Sequence, residues 1–344
     1  MDKTTNKAQI LYKKEDLRLK DCEIAEPGET DVLINIKACG ICKSDMDYYY
    51  DGRVADFIVE KPIVIGHEAS GVIVEKGRKV NDIQVGDRVS IIPLIGCSRC
   101  KFCKKGQQNL CINRKFLGCP PDTQGCFQQF LVHPASLVAK VSDDISFEEA
   151  AMIEPSAIAY NAIKKVGGLK GSHNIGIIGA GNIGLLLGKI LSTNGSNNIN
   201  FFDISQNKLD FAKNVIKGSK TYLVKKDCRI SPDYLDIAFD VSGSSEGINI
   251  AIENMDFGGK IGLIGWSLGN RDTNLNNVVL KEIALIGSSN FTIKDFKEVA
   301  NLANTKKLDF KGLYKTGFGI EDIADVFEDI RDGKFGEPKI IITF

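Results

Sequence analysis

Histidine is scarce in this chain, with three in 344 residues, so any site built on imidazole has few candidates to draw on. Net charge is missing altogether: 44 Lys and Arg balance 44 Asp and Glu, which removes the electrostatic case for a nucleic-acid or anionic-membrane partner. Long hydrophobic runs are also lacking. No stretch approaches the roughly 18 apolar residues of a membrane span, and Met1–Asn6 carries no apolar signal region, so no membrane association and a cytoplasmic setting are expected. Internal repeats and low-complexity tracts are absent, which excludes solenoid and fibrous architectures.

What remains is an ordinary globular composition, 43% hydrophobic and 26% charged, long enough for two domains. The first 150 or so residues read as short strands broken by Gly, Pro and Asp turns, for example Val32–Ile36 and Gly71–Val74. From about Pro155 the pattern changes to apolar strands followed by helical segments, the mark of a doubly wound parallel sheet. Strands are expected at 175–178, 199–202, 237–241, 261–264 and 283–286, a helix at 183–191, and a closing strand at Lys339–Thr343. The fold class is therefore α/β with a β-rich domain.

Cysteine is the one chemically specialised residue in surplus, with ten copies. Cys97, Cys100, Cys103 and Cys111 form C-x2-C-x2-C-x7-C in a short basic loop, a spacing suited to a closed tetrahedral zinc site of four thiolates. Clustered C-x-x-C spacing in a large chain without a signal region favours metal over disulfides. Such a site is structural, since a catalytic zinc keeps one position for water or substrate. Cys126, His133, His173 and Cys228 have no partner spacing and read as packing or surface residues.

Gly179-Ala180-Gly181-Asn182-Ile183-Gly184 fits G-x-G-x-x-G between an expected strand and an expected helix. Gly179 permits the tight turn, Gly181 lets backbone approach a pyrophosphate, and Gly184 allows helix and strand to pack closely. Asp203 closes the next strand, where a carboxylate accepts from ribose hydroxyls and repels a 2′-phosphate. The expected coenzyme is NAD. A second constellation joins Cys42-Lys43-Ser44-Asp45, Gly66-His67-Glu68 and Glu154-Pro155, whose thiolate, imidazole and carboxylates can hold zinc while leaving a position open. Singly, each has a plain structural explanation; their joint occurrence points to a metal.

These motifs occur in one order along nearly the whole chain, and in that order they resemble the zinc-dependent medium-chain alcohol dehydrogenases. Gly52–Pro62, Cys119-Pro120-Pro121-Asp122 and Ser146–Glu149 are most similar to the polyol branch, which includes sorbitol and idonate dehydrogenases. The resemblance implies a GroES-like catalytic domain from residues 1–156 and 292–344 and a Rossmann NAD-binding domain from 157–291, with zinc in the cleft between them. It implies that Cys42, His67 and Glu68 ligate a catalytic zinc, that Glu154 binds the metal or its water, and that Cys97, Cys100, Cys103 and Cys111 hold a structural zinc. Coenzyme contacts fall by the same match on Asp203, Gly243 and Gly265, beside Gly179, Gly181, Ile183 and Gly184. The assembly it favours is a homodimer or homotetramer, and the substrate a small polyol or sugar-derived alcohol.

The chemistry expected of such a site is hydride transfer between a secondary alcohol and NAD, with zinc lowering the hydroxyl pKa. Cys42 and Glu68 balance the charge of Zn²⁺ beside a neutral His67, which places Glu154 near the metal's water. Ser44 is expected to take the hydroxyl proton and Asp45 to orient His67. Some positions depart from the family pattern. Asp47 stands where a histidine relay is common, Asn290 where sorbitol-type enzymes place an arginine, and Tyr160 where a histidine is common. The missing cations favour a neutral polyol over a sugar acid or an alditol phosphate such as galactitol phosphate, unless Lys43 or Arg53 supplies one. Trp266 either lines the coenzyme site or packs. A zinc-independent quinone or enone reductase has no need of Cys42 with His67. A nucleic-acid-binding zinc ribbon draws support only from Lys101, Lys104, Lys105, Arg114 and Lys115, cations that equally offset the charge of four thiolates.

Overall fold

The computed structural model describes residues 5–121, 123–167, 173–225, 234–267, 269–336 and 338–344, so Asp122 and Cys228 lie outside the described residues. The chain divides into two compact units, Met1–Glu154 with Thr292–Phe344, and Pro155–Phe291.

The first unit is built on a seven-stranded sheet around the ten-residue strand Asp31–Gly40. Eight of its ten residues are buried, the near-continuous apolar pattern of a strand covered on both faces. It pairs antiparallel with Glu68–Lys76 along most of its length and with Phe130–Pro134 over its first half. Its last residues, Ala38–Gly40, take the C-terminal strand Lys339–Thr343 as a further antiparallel neighbour. The core beneath contains Ile34, Ile36, Ile63, Ile73, Phe127 and Phe327. Residues 292–344 thus return to complete this unit, supplying the amphipathic helix Ile323–Arg331 as well as the closing strand.

The second unit holds a six-stranded parallel sheet in the order Lys220–Leu223, Ile199–Asp203, Ile175–Ile178, Leu235–Asp240, Met255–Leu263, Ala284–Gly287. This is the strand order of a Rossmann sheet, which reverses direction of winding beside Ile175–Ile178. All four residues of that central strand are buried. The expected elements at 175–178, 199–202 and 339–343 lie where the apolar runs placed them. At Pro155 the structure differs from the strand-first reading, because a helix, Ile153–Lys165, comes before the first strand. Its proline lies in the first turn, where an absent N–H costs nothing. No helix among the described residues is long and apolar enough to cross a membrane.

Candidate active site and metal centres

Cys42 is the residue before the helix Lys43–Asp51, and Asp45 in its first turn accepts the Cys42 backbone N–H through Oδ2 at 2.9 Å. The other carboxylate oxygen accepts the backbone N–H of Gly66 at 3.0 Å. Asp45, fully buried, therefore ties together the two segments that carry Cys42 and His67. Its Oδ1 stands 3.6 Å from His67 Nδ1, beyond an ordinary hydrogen bond, so its grip is mainly on backbone and its effect on the imidazole electrostatic. Burial opposes a charge on His67, but Asp45 and Cys42 together raise its pKa well above the ordinary value. Phe116 closes one side of the imidazole, with ring centroids 5.2 Å apart.

Cys42 Sγ, a His67 ring nitrogen and a Glu68 oxygen all lie within 4.8 Å of one another. The Glu68 carboxylate is buried, and the ammonium of Lys339 meets it, 2.6 Å from Oε2. One thiolate, one imidazole and one carboxylate at this spacing fit Zn²⁺ with a position to spare. Glu154 is not among these atoms. It is buried in the first turn of Ile153–Lys165, where burial, opposed by the charge on His67 and reinforced by Glu68, pushes its carboxyl up to about 8. Ser44 is half-buried in the first turn of its helix.

Lys339 is the functional neighbour that motif reading missed. It is buried, and its ammonium lies 2.6 Å from Glu68 Oε2 and 2.8 Å from Oε1 while also donating to the Ile41 carbonyl at 3.0 Å. Sheet register explains the meeting. Gly40 pairs with Glu68 on one side and with Ile341 on the other, and a Cβ on Gly40 would come 2.4 Å from Glu68 Oε2 and 2.8 Å from Lys339 Cε. The only signal in the sequence was a lysine opening an otherwise apolar strand.

The surface cations entertained for substrate are taken locally. Lys43 Nζ donates to Asp47 at 2.6 Å one helical turn on, and Arg53 donates to the Ala55 carbonyl at 2.6 and 2.9 Å. Asp47 is thereby an ion-pair partner rather than a free relay.

The four sulfur atoms of Cys97, Cys100, Cys103 and Cys111 also lie within 4.8 Å of one another, and tetrahedral Zn–S bonds of about 2.3 Å fit that spread. Backbone N–H groups of Arg99 and Cys100 draw the Cys97 thiol down to about 6, whereas burial pushes Cys103 up to about 12. Four thiols so close cannot all ionise without a cation. Cys126 and His133 are buried, as their lack of partners suggested, and His133 Nε2 meets the Ile92 carbonyl at 3.0 Å.

In the second unit Gly179 has φ +106°, a value that disfavours any side chain, and a Cβ on Gly184 would meet the Gly179 carbonyl at 2.0 Å. Gly181 precedes the helix Asn182–Thr193, has open space where a side chain would stand, and is followed by Ile183 in the first turn. Asp203 ends its strand and accepts backbone N–H groups of Ala180 at 2.7 Å and Ser205 at 2.9 Å, which turns its carboxylate toward the glycine loop. Gly243 and Gly265 pack so closely that a Cβ on Gly265 would lie 2.2 Å from the Gly243 nitrogen. Trp266 beside them is 61% exposed, so it does not pack into a core. Buried Asp240 binds Arg271 at 2.9 Å and so anchors the loop after Gly265, a pairing motif reading also missed.

Residues 28–143 match the family model of the alcohol dehydrogenase GroES-like domain, and residues 182–305 match that of zinc-binding dehydrogenases. The chain is 32% identical to D-xylulose reductase of Saccharomyces cerevisiae, over 99% of this chain and 98% of that one. It is 32% identical to L-idonate 5-dehydrogenase of Vitis vinifera, with 95% and 92% covered. Among solved structures, 2R,3R-butanediol dehydrogenase from Bacillus subtilis superposes with a TM-score of 0.88 at 26% identity, covering 98% of this chain and 99% of that one.

Proposed function

Because this chain belongs to the zinc-dependent medium-chain alcohol dehydrogenase family, we propose that it transfers hydride between a secondary alcohol of a polyol or sugar-derived substrate and NAD. The observation that carries this reading is the convergence of a Cys42 sulfur, a His67 ring nitrogen and a Glu68 carboxylate oxygen within 4.8 Å. Bound zinc lowers the pKa of an alcohol hydroxyl, and bound NAD accepts the hydride from the carbon that bears it.

The chain's own residues prepare both. Cys42, His67 and Glu68 hold the catalytic ion, Asp45 fixes the backbone of both ligand segments, and Lys339 restrains Glu68. Glu154, buried in the first turn of its helix, orients water or substrate at the open position. Ser44 receives the hydroxyl proton and passes it outward. In the coenzyme domain, 157–291, Gly179, Gly181, Ile183 and Gly184 receive the pyrophosphate. Asp203 takes the ribose hydroxyls, and Gly243 and Gly265 approach the coenzyme through backbone. Cys97, Cys100, Cys103 and Cys111 hold the structural zinc of the unit formed by 1–156 and 292–344.

A neutral polyol is favoured over an alditol phosphate, because a phosphate needs free cations and Lys43 and Arg53 are engaged locally. The assembly is a homodimer or homotetramer. The sheet ends on Ala284–Gly287, and Leu275, Val279 and Leu280 are exposed shortly before that edge, an apolar border that a second copy would cover. A panel of polyols, sugar acids and alditol phosphates, assayed by NADH formation with Cys42→Ala as control, tests the reading. Turnover confined to polyols and abolished in the variant supports it.

A further inference from the structure

Arg271 stands outside every sequence motif, yet its guanidinium donates to Asp240 Oδ2 at 2.9 Å, 31 residues back in the chain. Asp240 ends the strand Leu235–Asp240, and its side chain is fully buried. Its other carboxylate oxygen accepts the backbone N–H of Ser242 at 3.0 Å and the Ser242 hydroxyl at 2.6 Å. Its backbone carbonyl accepts the N–H groups of Ile264 and Gly265, each at 2.9 Å. One residue thus fastens the turn after its own strand, the start of the loop after Met255–Leu263, and Arg271 beyond that loop's first residues.

The residues after Arg271 are tied separately to the helix Ser245–Asn254. Asp272 N–H donates to Ser245 Oγ at 3.0 Å, Asn249 Nδ2 to the Asp272 carbonyl at 2.9 Å, and Asn274 N–H to Asn249 Oδ1 at 2.8 Å. These neutral bonds hold the segment to the helix whether or not Asp240 is present. What the ion pair adds is a charged tie from that segment back to the strand ends, where a Cβ on Gly243 would come 2.8 Å from the Trp266 carbonyl oxygen. A buried ion pair adds little stability over well-packed apolar side chains, so stability alone does not account for this one. Its place is the carboxyl end of a parallel sheet, where such sheets bind ligands. Ile175–Ile178 has Ile199–Asp203 on one side and Leu235–Asp240 on the other. With Asp203 taking the adenosine ribose on the first side, Asp240 and its tie to Gly265 belong to the half left for nicotinamide.

We propose that Arg271 is a positioning residue for the coenzyme: its pair with Asp240 holds the backbone at Gly243, Gly265 and Trp266 in the shape that receives the nicotinamide half of NAD. The inference rests on the dehydrogenase reading and deepens it. Without the guanidinium, Asp240 keeps Ser242 but has no opposite charge, and the two strand ends lose their common anchor. The glycine loop and Asp203 lie on the other side of Ile175–Ile178 from this change, so the adenosine half is bound as before.

The test is calorimetric titration of the zinc-loaded protein with NADH and with ADP-ribose, which carries the adenosine half and lacks nicotinamide, so that binding is read without turnover. Arg271→Ala is expected to weaken NADH binding by about tenfold, the scale of one charge-assisted hydrogen bond, and ADP-ribose binding by less than about twofold. Arg271→Lys, which keeps the charge, recovers much of the NADH affinity. In an Asp240→Asn background, where no buried charge is left to compensate, Arg271→Ala adds little. That double variant also serves if Arg271→Ala alone folds poorly. Zinc content stays at the wild-type level throughout. Equal losses for NADH and ADP-ribose would make the pair a general structural tie and overturn the proposal, as would an unchanged NADH affinity or additive effects of the two substitutions. If the wild-type protein binds neither compound, the dehydrogenase reading falls and the proposal with it; if it binds NADH no more tightly than ADP-ribose, only the proposal falls.

Discussion

The ammonium of Lys339 lies 2.6 Å from Glu68 Oε2, although 271 residues separate the two in the chain. Both are buried, so neither charge has water to fall back on. Removing one partner of such a pair typically costs about 3 to 5 kcal/mol, because the other is left uncompensated. Lys339→Met is therefore expected to lower stability by that order, and adding Glu68→Gln to recover much of it. Denaturant unfolding of the two single variants and the double variant measures the coupling; strictly additive losses would show that the pair is not an energetic unit.

Gly40 makes that pair possible. With both flanking strands held by register, a Cβ cannot be accommodated 2.4 Å from Glu68 Oε2 without moving the carboxylate. Gly40→Ala is expected to cost about 1 to 3 kcal/mol as an overpacked core does, and to lower catalytic zinc occupancy. Metal analysis beside a melting curve checks this, and full occupancy at unchanged stability contradicts it.

These two residues mark the limit of what the sequence discloses. Cys42, His67 and Glu68 are legible because each stands in a short motif whose spacing carries chemistry, and the glycine loop is legible because strand, turn and helix follow one another in sequence. Lys339 is not, since only the antiparallel register of Asp31–Gly40 with its two neighbours brings it to Glu68. The helix at Ile153–Lys165 was hidden for another reason: a proline reads as a breaker unless its place in the first turn is known.

His133 gives a clean pH dependence, apart from any metal. Burial pulls its pKa down to about 4 from 6.5, so the folded state holds it neutral. A depressed histidine contributes stability that is fully present above about 6.5 and is lost as pH falls toward 4, by about 3 kcal/mol at most. His133→Gln is expected to flatten the fall in stability across this window. An identical acid limb in the variant would assign the loss to other groups.

Asp203 is expected to set coenzyme choice. Its carboxylate already faces the glycine loop through the Ala180 and Ser205 N–H groups. Asp203→Asn keeps an acceptor for backbone but removes the charge that repels a 2′-phosphate, so the preference for NAD over NADP should fall by about tenfold or more. The ratio of kcat/KM for the two coenzymes reads this directly, and an unchanged ratio would place discrimination elsewhere.

The most direct test of the account is zinc content measured together with NAD-linked polyol oxidation, in the wild-type protein and in Cys42→Ala. Two clusters of ligating side chains among the described residues predict two zinc ions, one lost in the variant along with turnover while the four-cysteine lobe keeps the other. Polyol oxidation that survives the loss of Cys42, or a purified wild-type protein free of zinc and inert toward every secondary alcohol, would contradict it.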